Sequence, residues 1–109
     1  ADMTLTTDQT LTKLGSFTNY IPLRVIAVRK SGAFGVACAG GVYTAAAKGG
    51  SAIVAAGQSW AALTGASTAV QATVALTAVT LSATPILSLT TGNTGALTAD
   101  VFVFGIVAD

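Results

Sequence analysis

The chain has 109 residues, enough for one domain with a modest core. Only 8% of them are charged, the net charge is +1 and there is no His; ordinary globular proteins carry about 25% charged residues. Such a chain has no long-range field to draw in nucleic acid or an anionic membrane, and its near-neutral, apolar composition favours association.

Residues 1–19 are Thr-rich and thinly apolar, with Leu5, Leu11, Leu14 and Phe17 at irregular spacing. They are expected to form either a short strand with a loop or an arm reaching over a neighbouring subunit. Residues 20–109 then form the folded domain.

Tyr20 to Lys30 reads as a strand, with Pro22 at its start or on an edge because it lacks an N–H. Leu23, Val25 and Ala27 share one face; Arg24, Ile26, Val28 and Lys30 share the other. Arg24, Arg29 and Lys30 are three of the five bases. They either solvate the strand end or form a docking patch for an acidic partner surface.

Ala33 to Gly41 alternates Phe34, Val36 and Cys38 with small residues. The bare face lets another layer of backbone approach, and Gly40-Gly41 marks a turn or bulge. Cys38, the only cysteine, is expected to be a small buried apolar residue. Val42 to Thr44 starts a further strand. The Ala45–Ala47 run is flanked by glycines and too short for an independent helix, so strand followed by turn is expected. Ser51 to Ala56 is a short strand, and Gln58 to Thr64 a helical turn or loop. Trp60, the only tryptophan, either plugs the core or anchors an interface. Residues 65–68 read as loop.

Val70 to Leu81 alternates with Val70, Ala72, Val74 and Leu76 on one face; its phase slips near Thr77-Ala78, which calls for a bulge or bend. Ile86 to Thr90 is expected to form a hairpin with the last strand across the Thr91–Gly95 loop. That last strand, Val101 to Phe104, is apolar on both faces and should be covered on both. Phe102 and Phe104 are expected to fill the core, while Val101 and Val103 face a second layer or a neighbouring subunit. Seven or eight short strands with regular turn signals define an all-β, single-domain antiparallel β-sandwich of jelly-roll-like type.

Residues 49–99 carry no charge, yet Thr, Ser and Gly recur at short intervals, Pro85 interrupts the run, and the period is two. A membrane-spanning helix is therefore not expected. A lipid-facing barrel lacks its aromatic girdles, and no basic region leads an apolar N-terminal signal. All four acids are Asp; with no Glu or His, the usual general acids and bases, nucleophile activators and metal clusters are missing. No phosphate-binding glycine motif is present. The expectation is a protein without catalytic residues, cofactor or metal, whose candidate interface residues are Arg24, Arg29, Lys30, Trp60, Val101 and Val103.

Four blocks carry a family resemblance: Tyr20-Ile21-Pro22-Leu23-Arg24, Gly40-Gly41-Val42-Tyr43-Thr44-Ala45-Ala46, Leu87-Ser88-Leu89-Thr90-Thr91 and Ala99-Asp100-Val101-Phe102-Val103-Phe104-Gly105. Through them the chain resembles small structural proteins of tailed bacteriophages of the capsid decoration, or cement, type. The resemblance implies the exterior of a virion as location, assembly in the host cytoplasm, and the major capsid protein as partner. It also implies a homo-oligomer, with a trimer favoured, and no individual functional residues. Another virion part, such as a head-fibre base or tail protein, is one alternative. A carbohydrate-binding adhesin module stacking sugar on Trp60, Tyr43 or Tyr20 is another.

Overall fold

A computed structural model describes residues 1–32, 38–61, 63, 69–76 and 80–109. Seven strands are present among them: β1 (Gln9–Thr10), β2 (Tyr20–Gly32), β3 (Ala39–Ala45), β4 (Gly49–Val54), β5 (Ala69–Ala72), β6 (Ile86–Thr91) and β7 (Leu97–Val107). They form two antiparallel sheets, one of order β1-β6-β3-β4 and one of order β5-β2-β7. The sheets pack face to face, so the chain is an all-β sandwich, as its alternation and turn spacing require. The phase slip at Thr77-Ala78 and the Phe34–Val36 alternation lie outside the described residues, as does the loop at 65–68.

One cluster of buried side chains joins the layers. Val25, Ala27, Val70, Ala72, Leu97 and Ala99 come from the three-stranded sheet; Val42, Ile53, Val54, Leu87 and Leu89 come from the four-stranded one. Full burial of each Ile or Leu contributes about 1.5–3 kcal/mol. Cys38 sits in the same cluster, a small buried apolar residue as expected, its thiol 3.6 Å from the Met3 carbonyl it donates to.

β2 runs two residues longer than β7, 13 against 11, and two bulges absorb the difference. One lies between Pro22 and Arg24, the other between Arg29 and Ser31. The first moves Leu23 out of the face it was expected to share with Val25 and Ala27: Leu23 is exposed, while Tyr20, Pro22, Val25 and Ala27 are all buried. Pro22 is tolerated at this bulge, beyond the stretch Val25–Val28 that pairs with β5.

β3 is continuous through Gly40-Gly41, and the irregularity there is a bulge against β6. Backbone crowds both glycines: a Cβ on Gly40 would overlap the Leu89 backbone, and one on Gly41 the Val54 carbonyl. Ala46 to Gly49 closes the β3–β4 hairpin. Ala47 and Lys48 both take positive φ (57° and 58°), which is the two-residue type I′ geometry. The Asp8 carboxylate holds this turn from outside, accepting the Ala47 N–H at 2.7 Å. Trp60 and Leu63 close a single turn in which the Leu63 N–H donates to the Trp60 carbonyl.

The expected β6–β7 hairpin is not formed. β6 pairs with β1 and β3, whereas β7 pairs with β2 in the other sheet. The connecting loop spans the roughly 10 Å between layers rather than reversing within one. Buried Asn93 fixes it: its backbone N–H donates to the Met3 carbonyl at 2.8 Å, and its Nδ2 donates to the Gly95 carbonyl at 2.7 Å. The alternating segment after Val70 also changes layers. Val70 and Ala72 pair with β2, then Val74 bridges Val54, and the Ala75 N–H donates to Ile53.

Residues 1–19 are fastened at several points. Met3 is fully buried, Asp2 bridges Thr98, and β1 extends the four-stranded sheet. Gly40→Ala should destabilise the fold by about 3 kcal/mol or more, because both the backbone overlap and the φ of +156° oppose a side chain. Urea unfolding of the variant against wild type measures this.

Candidate functional site

The β2–β7 ladder sets out the outer face of the three-stranded sheet. Ile26 stands beside Phe102, Arg24 beside Phe104 and Val28 beside Asp100. Gln71 flanks Ile26 on β5. Phe102 and Phe104 are 42% and 51% exposed, and their rings stack at 6.1 Å. Leu23, Val28, Ile106 and Val107 are also exposed. Among the described residues, six of the eight exposed large hydrophobic side chains therefore lie on β2 or β7, gathered rather than scattered.

This reverses the expected assignment of β7. Phe102 and Phe104 do not fill the core; Val101 and Val103 turn inward and pack, half-buried, against the core cluster. Leu97 and Ala99, fully buried, fix the phase, and a period of two carries it to 101 and 103. Space between the sheets is taken by Trp60 and Met3, which arrive from outside the strands. The alternation Leu97-Thr98-Ala99-Asp100, apolar then polar, was the sequence signal for this phase; Met3, in a Thr-rich stretch, had none.

Trp60 has no exposed surface, so it is a core plug and reaches no interface: its Nε1 donates to the Gly40 carbonyl at 3.2 Å and its backbone N–H to Cys38 at 2.8 Å. Arg24 and Arg29 lie on opposite faces of β2, since Arg24 pairs with outward Phe104 and Arg29 with inward Ala99. The Arg29 guanidinium donates to the Gly32 carbonyl at 3.2 Å. Lys30 is exposed at the second bulge. The three bases are thus not one patch; Arg24 alone joins the apolar outer face, where it borders a shallow depression with Leu23, Ile26 and Phe104.

A second feature adjoins β7. An open groove of about 730 Å³ runs between β7 and the segments 10–14 and 82–85, walled by Leu11, Leu14, Phe17, Tyr20, Val101 and Val103. Tyr20 closes its depth, donating its hydroxyl to the Ala83 carbonyl at 2.7 Å; burial raises its pKa.

The ionisable groups serve the backbone. Asp2 accepts the Thr4 hydroxyl at 2.6 Å and its N–H at 2.9 Å; Asp8 accepts the Ala47 N–H; Asp109 accepts the N–H groups of Thr18 and Asn19 at 2.9 and 2.8 Å. These bonds hold all three carboxyls below their ordinary pKa. Burial pushes the Cys38 thiol up, which keeps it protonated. Among the described residues no three His, Cys, Asp or Glu side chains converge, and no helix is long and apolar enough to cross a membrane. No protein-family model, curated protein or solved structure matches the chain.

Two outcomes follow from this geometry. Val103→Lys should cost about 2–4 kcal/mol by forcing a charge toward the core, whereas Phe104→Lys should cost no more than about 1 kcal/mol; denaturant midpoints of the two variants decide the facing of β7. The depressed carboxyls of Asp2, Asp8 and Asp109 contribute stability that is present above their unfolded pKa of about 3.9 and lost as pH falls through the lower folded values. Thermal midpoints should therefore drop below about pH 4, and Asp8→Asn should flatten part of that drop.

Proposed function

We propose that this protein is a structural component of a bacteriophage virion that binds the outer surface of the capsid and stabilises it. The observation that carries this reading is the apolar outer face of the three-stranded sheet, with Leu23, Ile26, Val28, Phe102 and Phe104 around the single base Arg24. A face of this kind on a two-layer sandwich suits a permanent partner: burying it releases apolar surface from water, and little charge has to be desolvated. The major capsid protein supplies such a partner in many symmetric copies, so weak single contacts add up by avidity. The resemblance in the strand blocks at 20–24, 40–46, 87–91 and 99–105 points the same way. The role is mechanical rather than catalytic.

The adhesin reading loses its candidate residues. Trp60, Tyr43 and Tyr20 are 0%, 6% and 7% exposed, and a buried ring offers no face to a sugar.

Expanded capsids lacking the protein should rupture at a lower temperature than capsids to which it is added. Leu23→Thr with Val28→Thr, which leaves β7 untouched, should keep the fold and abolish the gain. Equal stability of capsids with and without the protein would overturn the proposal.

A further inference from the structure

Sandwich sheets end in edges, and proteins blunt them with short strands, Lys, Pro or bulges. Three of the four edges here are handled in that way. β1 has two residues and β5 has four. β4 is covered at its far end, where Val54 bridges Val74 and the Ile53 carbonyl accepts Ala75. β7 is different. It has 11 residues, its only strand neighbour among the described residues is β2, and its own run is free of bulges. No Lys or Pro occurs from Leu97 to Val107.

Only the beginning of the β7 edge is closed. The Met3 N–H donates to Leu97 at 2.9 Å, and the Ala99 N–H donates to Ala1 at 3.0 Å. Leu97 and Ala99 therefore turn their backbone groups to the free side. By strict alternation Val101, Val103 and Gly105 do the same. The Ala108 N–H donates back to Asn19, next to β2, which confirms the phase. The N–H and C=O groups of Val101, Val103 and Gly105 have no partner among the described residues.

We infer that the open part of the β7 edge, Val101 to Gly105, pairs with the same stretch of a second copy, antiparallel about a two-fold axis at Val103, to give one six-stranded sheet in which Val107 of each copy leaves the ladder where Ala1 closes Ala99. A strand is the occupant because what is unpaired is a row of backbone donors and acceptors with strand spacing. A second copy is the occupant because the edge is complementary to itself. With the axis at Val103, Val101 faces Gly105 of the second copy, and Phe102 faces Phe104. Asp100, the only charge on β7, falls opposite Ile106, so no like charges meet. The two apolar outer faces become one surface of double width, with four phenylalanines at its centre. On the inner side Val103 meets Val103 of the second copy, beside the groove that Leu11 walls. This is a two-fold assembly in place of the trimer that the family resemblance implies, and it does not depend on what the outer face binds.

Sedimentation equilibrium of the full chain should show a monomer–dimer equilibrium. Val103→Cys places two thiols on the axis, within the Cα separation of about 5.5 Å that both a paired strand position and a disulfide accept. Mild oxidation should convert it to a covalent dimer much faster than Leu14→Cys, which is exposed but off the edge. A charge exchange tests the register. Phe102→Lys with Phe104→Lys, and Phe102→Glu with Phe104→Glu, should each weaken self-association by roughly tenfold or more; an equimolar mixture should restore it. A monomer at all concentrations, a trimer, or equal cross-linking of the two cysteine variants would overturn the pairing. If the charged variants do not fold, the cross-linking comparison still decides.

Discussion

The ladder between β2 and β7 is the constraint on which the rest of the sandwich depends. Eleven residue pairs run along it, and two bulges on β2 reset the phase on the way. Without the extra residue at Leu23, the faces of β2 would invert: Tyr20 and Pro22 have even numbers, Val25 and Ala27 odd, yet all four are buried. A one-residue slip would turn one of those pairs to solvent. The bulge lets both halves of a long strand face the same core. It also ejects Leu23 and sets Arg24 beside Phe104, which gives the outer face its composition. Core and candidate interface are thus two consequences of one irregularity.

Much of this was legible in the residues. The strand at Tyr20, the turn after the alanine run, the bulge at Gly40-Gly41, the burial of Cys38 and the two-layer all-β class each follow from local chemistry. Such features depend on φ preference, on side-chain size or on a period of two. What was not legible depends on which strands meet. The Thr91–Gly95 loop has the composition of a hairpin turn, and composition alone does not separate a reversal within a sheet from a step between sheets. Asn93 decides it by bonding to Met3, ninety residues earlier. The facing of Val101–Phe104 was likewise hidden, because a strand apolar on both sides carries no phase of its own. The phase comes from Leu97 and Ala99, where the polar partners Thr98 and Asp100 still mark the outside.

The N-terminal stretch shows how few contacts turn a polar segment into part of a fold. Met3 contributes one buried side chain to the core. Its carbonyl accepts from Asn93, and its N–H donates to Leu97. Those two bonds tie the entry of the chain to the crossover between layers and to the start of β7. Asp8 then reaches across to Ala47, whose positive φ is unfavourable for a residue with a Cβ. The strained turn and the depressed carboxyl are the same interaction seen from its two ends.

The placement of large side chains sets the outer face of the three-stranded sheet apart from the rest of the surface. At the centre of this three-stranded sheet the inward positions are small: Ala27, Ala72 and Ala99 alternate with Val25 and Val70, with the bulkier Leu97 and Tyr20 toward the strand ends. Bulk for the core comes from Ile53, Leu87 and Leu89 of the facing sheet and from Trp60, Met3 and Leu63, which lie outside the strands. The sheet's large residues are left on its outer side, where Phe102 and Phe104 stack on each other and keep about half their surface in water. A solitary domain gains nothing from that arrangement, since exposed phenylalanines promote unspecific association. Covered by a second surface, each ring, already half buried, would add about half of the roughly 1.5–3 kcal/mol that full burial gives, and Arg24 would lie at the margin. The same strand that carries these rings also presents the sheet's open edge, so the proposed capsid contact and the proposed edge pairing would both fall on a single strand, Leu97–Val107.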